Sequence, residues 1–145
     1  MNHSFGLLAA ALLLAGSASA QKLKTAQVPA AVVAGFTQKF LQAKDVKWEK
    51  ENDHYEAGFK QGKAEMSALL LANGALVETE TEISVAQLPA EIRATLARQY
   101  KGVTIKEAAK IVAAGTGAVT YEAEIAQGGK TRDVLFNADG QEVKQ

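Results

Sequence analysis

Residues 121–143 read YEAEIAQGGKTRDVLFNADGQEV and repeat residues 55–77, which read YEAGFKQGKAEMSALLLANGALV. Nine of these 23 positions are identical at an offset of 66 residues, far more than this composition gives by chance. Upstream the offset falls to 60, where Val28-Pro29-Ala30 matches Leu88-Pro89-Ala90. We interpret the chain as a tandem duplication, with six extra residues between the helix and the first strand of the second half.

Each half of the duplication begins with a proline followed by a helical pattern. Pro29 and Pro89 are predicted at the first helical position, where the missing N–H would have no helical partner anyway. Apolar residues then recur every four positions, which places them on one face of a helix. They are Val32, Phe36 and Phe40 in the first half and Ile92, Leu96 and Tyr100 in the second. The sequence therefore predicts one amphipathic helix per half.

After each helix, apolar and polar residues alternate, which is typical of antiparallel strands covered on one face. The predicted covered set is Val46, Trp48, Tyr55, Ala57 and Phe59 in the first half and Val103, Ile105, Val119, Tyr121, Ala123 and Ile125 in the second. Trp48, the only tryptophan, shares this phase, which favours a core role over a contact role. Asn73-Gly74 and Asp139-Gly140 are dipeptides favoured by two-residue hairpin turns.

These elements predict an α+β fold. Each half reads as one helix packed on a four-stranded antiparallel meander sheet, because the connections are too short for the crossovers of a parallel sheet. The pattern leaves open whether the two halves form one eight-stranded sheet or two separate sheets.

The N-terminus has the pattern of an export signal. Residues 7–16 form an apolar run that is too short to span a bilayer. Small residues follow at 17–20, which predicts cleavage between Ala20 and Gln21. The other interpretation is a buried N-terminal helix, and residues 1–6 depart from the signal pattern because they contain no Lys or Arg. The predicted division is a signal peptide at 1–20 and repeats at 21–83 and 84–145 that form one unit. The mature chain is expected to be periplasmic or secreted, with no membrane span.

Composition excludes several classes of function. The 16 Lys and Arg residues balance the 16 Asp and Glu residues, so the sequence lacks the basic excess that a nucleic-acid partner requires. The absence of cysteine excludes disulfides, zinc-thiolate sites, iron–sulfur clusters and thiol nucleophiles. We therefore expect a fold held together by a packed core.

The inventory of reactive side chains predicts no enzyme. His54 is the only histidine after residue 20 and follows Asn52-Asp53, which predicts a solvated position in a hairpin turn. Ser67 and Ser84 have no second histidine to act as a base, and no Gly-x-Ser-x-Gly motif occurs. The glycines at 115–117 and 128–129 fit hairpin turns better than phosphate loops. No catalytic, cofactor-binding or metal-binding residue is predicted.

The alternation fails in ALLL at 68–71 and VLF at 134–136. If the other apolar residues there face the helices, then Leu69, Leu71 and Leu135 point to the uncovered face of the sheet. An apolar patch with a charged rim is typical of a protein-binding surface, so these three leucines form a candidate protein-binding face. The alternative is that sheet curvature or the loop near Ile111 covers them.

A second candidate surface is acidic. Glu78, Glu80 and Glu82 are separated by threonines and form a period-two stripe. The favoured interpretation is a charged strand edge that prevents sheet-to-sheet aggregation. The other is a weak surface for a divalent cation or a basic partner.

Taken together, these residues resemble a known family. The proline-started helix, the strand at 121–125, the glycine turn, the apolar strand at 133–136 and the final hairpin at 137–143 are similar to the PepSY-like family, also described as beta-lactamase-inhibitor-like. The resemblance covers nearly the whole chain after residue 20. It implies a tandem module exported in Gram-negative bacteria, with an architecture similar to that of the beta-lactamase inhibitor protein, which clasps its enzyme with a concave sheet. That inhibitor has disulfides and loops without counterparts here, so no inhibitory residue is carried over.

The sequence thus predicts an exported, non-catalytic binding module that recognises another protein or an envelope component through the uncovered sheet face. Two other functions stay open. One is inhibition of a periplasmic peptidase or beta-lactamase, which the resemblance implies. The other is weak binding of a cation or small molecule through the acidic stripe.

Overall fold

Eight strands and two helices make up residues 20–144, the part of the chain that a computed structural model describes. Residues 1–19, which carry nearly all of the predicted signal peptide, and residue 145 lie outside the described residues. The elements are β1 (Gln21–Leu23), α1 (Ala30–Lys39), β2 (Lys44–Glu51), β3 (His54–Gln61), β4 (Ala64–Leu71), β5 (Leu76–Ile83), α2 (Ala90–Gln99), β6 (Thr104–Ala113), β7 (Val119–Gln127) and β8 (Lys130–Asn137). A 3₁₀ turn precedes each helix, at Thr25–Gln27 and Val85–Gln87.

All eight strands form a single antiparallel sheet in chain order, which answers the question of one sheet or two. The α+β class is confirmed, but the prediction of four strands after each helix holds only for α1. Three strands follow α2, and a lone bridge between Phe136 and Glu142 stands where a fourth was expected. The eighth strand is β1, which pairs with β2 at the opposite edge.

Both helices begin one residue later than predicted. Pro29 and Pro89 immediately precede the helices and have extended backbones, with ψ of 138° and 144°. Their carbonyl oxygens accept the first helical hydrogen bonds, from the N–H groups of Val33 at 3.2 Å and Arg93 at 3.1 Å. The prolines therefore act as caps, while their ring still fixes the direction of the chain into each helix.

Two buried clusters lie between the helices and one face of the sheet. The cluster under α1 contains Val28, Val32, Phe36, Trp48, Ala57, Phe59, Ala68 and Leu70. The cluster under α2 contains Leu88, Ile92, Leu96, Ala108, Ala123, Ile125, Val134 and Phe136. The predicted helix stripes and strand phases are therefore confirmed. Trp48 is buried, and its ring meets Phe36 edge-on at 5.3 Å between centroids.

The two predicted two-residue turns are three-residue loops instead. The Leu71 N–H donates to the Ala75 carbonyl at 2.9 Å, and the Gly74 N–H donates to the Leu71 carbonyl at 2.8 Å. The loop after β8 repeats both bonds with Asn137, Gly140 and Gln141. Only the glycines take positive φ, at 85° and 78°, which is the pattern of a turn followed by a glycine bulge. The side-chain oxygen of Asn73 accepts the Ala75 N–H and stabilises this form.

The six extra residues of the second half lie in a different place from the one predicted. The strands after the helices start at Lys44 and Thr104, so the offset of 60 persists through the helix-to-strand connection. Trp48 pairs with Ala57, whereas Ala108 pairs with Ala123. The insertion therefore lengthens the β6–β7 hairpin, and the placement between helix and strand was wrong.

Candidate binding face

The sheet face opposite the two helices is the candidate site, and we call it the open face. Because side chains alternate along a strand, the neighbours of the core alanines point to it: Glu56 beside Ala57 and Glu122 beside Ala123. On β5, Thr79 pairs with core residue Ala68, so the glutamates of that strand also point to the open face. Its acidic residues are Glu49, Glu51, Glu56, Glu65, Glu78, Glu80, Glu82, Glu107, Glu122, Glu124 and Asp133.

Strand pairing arranges these acids in rows across the sheet. One row runs from Glu49 to Glu56, Leu69 and Glu78. Another runs from Glu82 to Ala109, Glu122 and Leu135. Neighbouring strands lie about 4.8 Å apart, so carboxyl groups from β2 to β8 share a single surface. Between these rows Glu80 pairs with Ser67 on one side and Ile111 on the other.

Several of these carboxyl groups are buried without a partner. The exposed fraction is 2 % for Glu56, 3 % for Glu80 and 1 % for Glu122. Within residues 20–144, both side-chain oxygens of Glu122 lack a hydrogen-bond partner, as do Oε1 of Glu56, Oε2 of Glu80 and Oδ1 of Asp133. We call these four residues the carboxyl cluster. Since both helices pack on the other face, neighbouring side chains and sheet curvature must provide this burial, and breaks in register in β2, β4 and β6 increase the curvature.

Burial changes the protonation of the cluster. Desolvation by burial, together with the charges of Glu122 and Glu56, raises the pKa of Glu80 to about 9. Burial followed by the charge of Asp133 raises the pKa of Glu122 to about 8. For Glu56 burial raises the pKa to about 7, against a hydrogen bond from Ser67 that lowers it. Glu80 and Glu122 therefore hold protons at neutral pH, because the charges that act on them are acidic and add to the effect of lost hydration.

The surrounding acids shift in the same direction. Burial raises the pKa of Glu78, Glu82, Glu107 and Asp133 above their usual values. For Glu82, a hydrogen bond with Glu65 adds to the rise. The effect of burial on these pKa values thus extends over strands β3, β5, β6, β7 and β8.

Basic side chains lie mostly elsewhere. On the helix side of the sheet, the Nζ of Lys50 lies 5.8 Å from the centre of the Tyr55 ring, and the guanidinium of Arg132 lies 5.1 Å from that of Tyr100. Lys60 lies toward the edge of the open face and forms ion pairs with Asp45 at 3.8 Å and Glu65 at 4.0 Å. Lys22 and Lys47 also lie on the open face, where they pair with Glu49 and Gly58, so basic side chains accompany the acids on β1 to β3.

The three predicted leucines all lie on the open face but do not form one patch. Leu69 is buried between Glu56 and Glu78, as the curvature alternative anticipated. Leu71, at the end of β4, is 39 % exposed. Leu135 is half-buried and pairs with Glu122. Because β4 and β8 are four strands apart, Leu69 and Leu135 are separated by roughly 19 Å across the strands, and they also lie in different rows.

The interpretation of Glu78, Glu80 and Glu82 as a strand edge was wrong. Their strand, β5, lies in the middle of the sheet between β4 and β6. His54 is the first residue of β3, half-buried between Glu51 and Leu71, rather than a solvated turn residue. Its charge lowers the pKa of Glu78, against the larger effect of burial.

Sequence reasoning missed most of the carboxyl cluster, namely Glu56, Glu122 and Asp133. A usable signal was present, because the repeated Tyr-Glu-Ala motif keeps a glutamate between two covered positions in both halves, at Glu56 and Glu122. Alternation alone treats such a residue as solvated.

Comparison with known proteins shows the fold of this chain. No family model and no curated protein matches the sequence. Among solved structures, a BLIP-like protein from Bacteroides fragilis superposes with a TM-score of 0.65 over 79 % of this chain and 82 % of that one, at 21 % identity. The chain has a BLIP-like fold.

Two further solved structures are also similar to this chain. A DUF2874 family protein from Bacteroides uniformis has a TM-score of 0.71 at 17 % identity, covering 80 % of this chain and 86 % of that one. A candidate periplasmic protein from Bacteroides eggerthii has a TM-score of 0.72 at 12 % identity, covering 81 % and 86 %. At these identities the likeness concerns the fold alone.

Two other kinds of site, a metal site and a membrane-spanning helix, are absent from the described residues of this BLIP-like fold. In residues 20–144, no three His, Asp or Glu side chains are grouped so that they could hold a metal ion. The two helices of the same segment are not long and apolar enough to cross a membrane. The open face is the surface on which a function can be argued.

Proposed function

We propose that this protein is an exported, non-catalytic binding module that recognises another protein or an envelope component through the open face. The observation that carries the proposal is the carboxyl cluster, in which each residue has at least one buried carboxyl oxygen without a hydrogen-bond partner, on the face that the helices leave uncovered. A buried polar group without a partner costs about 1–3 kcal/mol of stability. A fold that retains four such residues on one surface is better explained by a partner than by packing.

Three further observations support the finer parts of this proposal. The order of 3₁₀ turn, helix and hairpin-linked strands occurs twice, in keeping with a tandem duplication and the PepSY-like resemblance. The apolar run at 7–16 supports an export signal removed before Gln21. The candidate periplasmic protein with the same fold supports a periplasmic location.

The absence of catalysis is also part of the proposal. His54, the histidine nearest to the open-face acids, lies next to Glu51 and Leu71 at one end of its strand. Ser67 is paired with Gly58 and Glu80, so no histidine accompanies a nucleophile there. The proposal assigns no catalytic residue, cofactor or metal to the chain.

A matched pair of leucine variants tests the use of the open face. Leu71 is part-exposed on the open face, whereas Leu41, 82 % exposed, lies in the α1–β2 connection away from it. We expect Leu71→Arg to abolish capture of a stoichiometric partner from envelope extract, because the long charged side chain blocks contact at the face. Leu41→Arg should leave capture unchanged. Equal capture by both variants, with folding checked by circular dichroism, would show that the partner binds elsewhere.

A second candidate function is inhibition of a peptidase or beta-lactamase, favoured by the BLIP-like neighbour. An inhibitor should abolish enzyme activity at one equivalent, with residual activity falling linearly up to that point. A panel of periplasmic peptidases and beta-lactamases is the assay, and the Leu71→Arg variant is the control. Full activity of every enzyme at tenfold excess of the protein would refute this candidate.

A further inference from the structure

The carboxyl cluster has a geometry that specifies the chemistry of its partner. Glu80 lies near the centre of the sheet, with Glu78 and Glu82 two residues away on the same strand. Residues two apart on a strand are separated by about 6.7 Å. Glu122 lies two strands away, about 10 Å across the sheet. Acceptor oxygens are thus spread at strand spacing over a surface several strands wide.

This spread favours an extended cationic partner over a single ion. Calcium requires six to eight oxygens within about 2.6 Å of one point, and residues 20–144 contain no such group. A protein segment in extended conformation carries side chains on one face at the same 6.7 Å spacing, by the same strand geometry. Arginine suits such a surface best, because its guanidinium is weakly hydrated and donates two parallel hydrogen bonds to a carboxylate.

We propose that the open face binds a basic segment of a partner protein, whose arginine or lysine side chains reach the unpartnered carboxyl groups of Glu80 and Glu122. The inference rests on the proposed function and names the chemistry of the partner. The bound cations supply the hydrogen-bond donors that the buried oxygens lack. They also compensate acidic charge contributed by six strands, from β3 to β8.

Binding of this kind is coupled to proton release. The groups facing Glu80 are Glu56 on β3, Glu78 on its own strand, Glu122 on β7 and Asp133 on β8, all acidic. The groups facing Glu122 are Asp133, Glu124, Glu78 and Glu107, again all acidic. A cation placed among them favours the ionised forms and lowers their pKa values. Affinity should therefore rise with pH, and each carboxyl group ionised on binding releases one proton.

The test uses a defined probe with the purified protein. The probe is the peptide Arg-Gln-Arg-Gln-Arg-Gln-Arg, and its control is the same peptide with neutral citrulline in place of arginine. Isothermal titration calorimetry at pH 8, in two buffers of different ionisation enthalpy, measures both affinity and proton release. We expect the arginine peptide to bind at least tenfold more tightly than the citrulline peptide, with release of at least one proton. At pH 5.5 its affinity should be at least tenfold lower.

Variants locate the effect on the carboxyl cluster. The double variant Glu80→Gln/Glu122→Gln has the shape of the protonated acids but cannot ionise. We expect it to lower the affinity for the arginine peptide at least tenfold at pH 8 and to abolish the proton release. Asp53→Asn removes one acidic charge at an exposed turn outside the cluster and should change neither. Unchanged binding by the double variant would overturn the proposal. Displacement of the bound arginine peptide by one equivalent of calcium would also overturn the proposal, because the site would then bind a small cation.

The outcome is separable from that of the proposed function. If Leu71→Arg abolishes partner capture but the arginine peptide binds no better than the citrulline peptide, the open face is a binding site for a partner of another chemistry. If Leu71→Arg leaves partner capture unchanged while the arginine peptide binds the carboxyl cluster, the proposal that the open face captures the partner is wrong.

Discussion

Gly35→Ala is expected to destabilise the protein by about 3 kcal/mol, within the upper range for overpacking, although alanine is the better helix former. A Cβ atom at Gly35 would lie 2.1 Å from the carbonyl oxygen of Gly74 and 2.9 Å from its carbonyl carbon. Both are backbone atoms, so either α1 or the β4–β5 loop must move. In an exposed helix the same change would stabilise by about 0.5–1 kcal/mol. Urea denaturation monitored by circular dichroism measures whether Gly35→Ala lowers or raises the free energy of unfolding.

Other glycines separate steric overlap from backbone strain. Gly62 has φ of 61°, and a Cβ atom added there would have no atom within 4 Å. Gly62→Ala should therefore lower the free energy of unfolding through backbone strain alone, by about 1 kcal/mol. Gly74→Ala combines a φ of 85° with a Cβ placed 2.1 Å from the carbonyl oxygen of Ala31. It should therefore be at least as damaging as Gly35→Ala. A neutral or stabilising Gly35→Ala would mean that the loop does not rest on the helix.

The second half makes the same contact by different chemistry. Thr95 stands where the offset of 60 aligns it with Gly35, and its hydroxyl donates a hydrogen bond of 2.9 Å to the carbonyl of Gly140. The loop that carries Gly140 still approaches α2 closely, since a Cβ there would lie 2.6 Å from the carbonyl oxygen of Glu91. Each helix therefore positions the loop that follows the third strand after it. Hydrophobic periodicity predicts which helix face is covered, but not how near a loop backbone comes.

Local pattern was sufficient for the elements and their covered faces. Both helices and most strands could be predicted from the spacing of Val32 and Phe36, the phase of Trp48 and the two prolines. Such features depend only on residues that are close in the sequence. It was insufficient where a strand depends on its neighbours. β5 is held by partners on both sides, whereas the segment after β8 has only β8 beside it and pairs at Glu142 alone.

The candidate site depended still more on long-range structure. The break in alternation suggested that Leu69 points to the face opposite the helices, but the burial of Leu69 and of Glu80 follows from curvature and from strands joined later in the chain. β6, which makes β5 central, comes only after a helix. An acidic residue in an alternating strand therefore has no local mark of being buried, and the raised pKa values could not be anticipated.

The stability of the folded protein is expected to fall as the pH rises from 5 to 9. Above its ordinary pKa near 4.5 an unfolded glutamate loses its proton, but folded Glu56, Glu122 and Glu80 keep theirs until the pH passes about 7, 8 and 9. The folded state thus binds more protons across this window, so its stability is fully present below pH 4.5 and is lost as the pH rises through these values. Each unit of pKa shift corresponds to about 1.4 kcal/mol. Melting temperatures at pH 5 and pH 9 should differ by at least about 10 °C.

Glutamine at Glu80 and Glu122 should remove much of this dependence, because an amide copies the neutral acid and cannot ionise. We expect Glu80→Gln/Glu122→Gln to melt close to the wild type at pH 5 and well above it at pH 9, while Asp53→Asn follows the wild type at both. A double variant as sensitive to pH as the wild type would show that the two carboxyl groups do not keep their protons in the folded state. If instead the variant is more stable but binds the arginine peptide more weakly, the same two residues reduce stability and support binding. Residues that reduce stability in the free protein are kept where function requires them, and that combination would identify Glu80 and Glu122 as functional rather than structural.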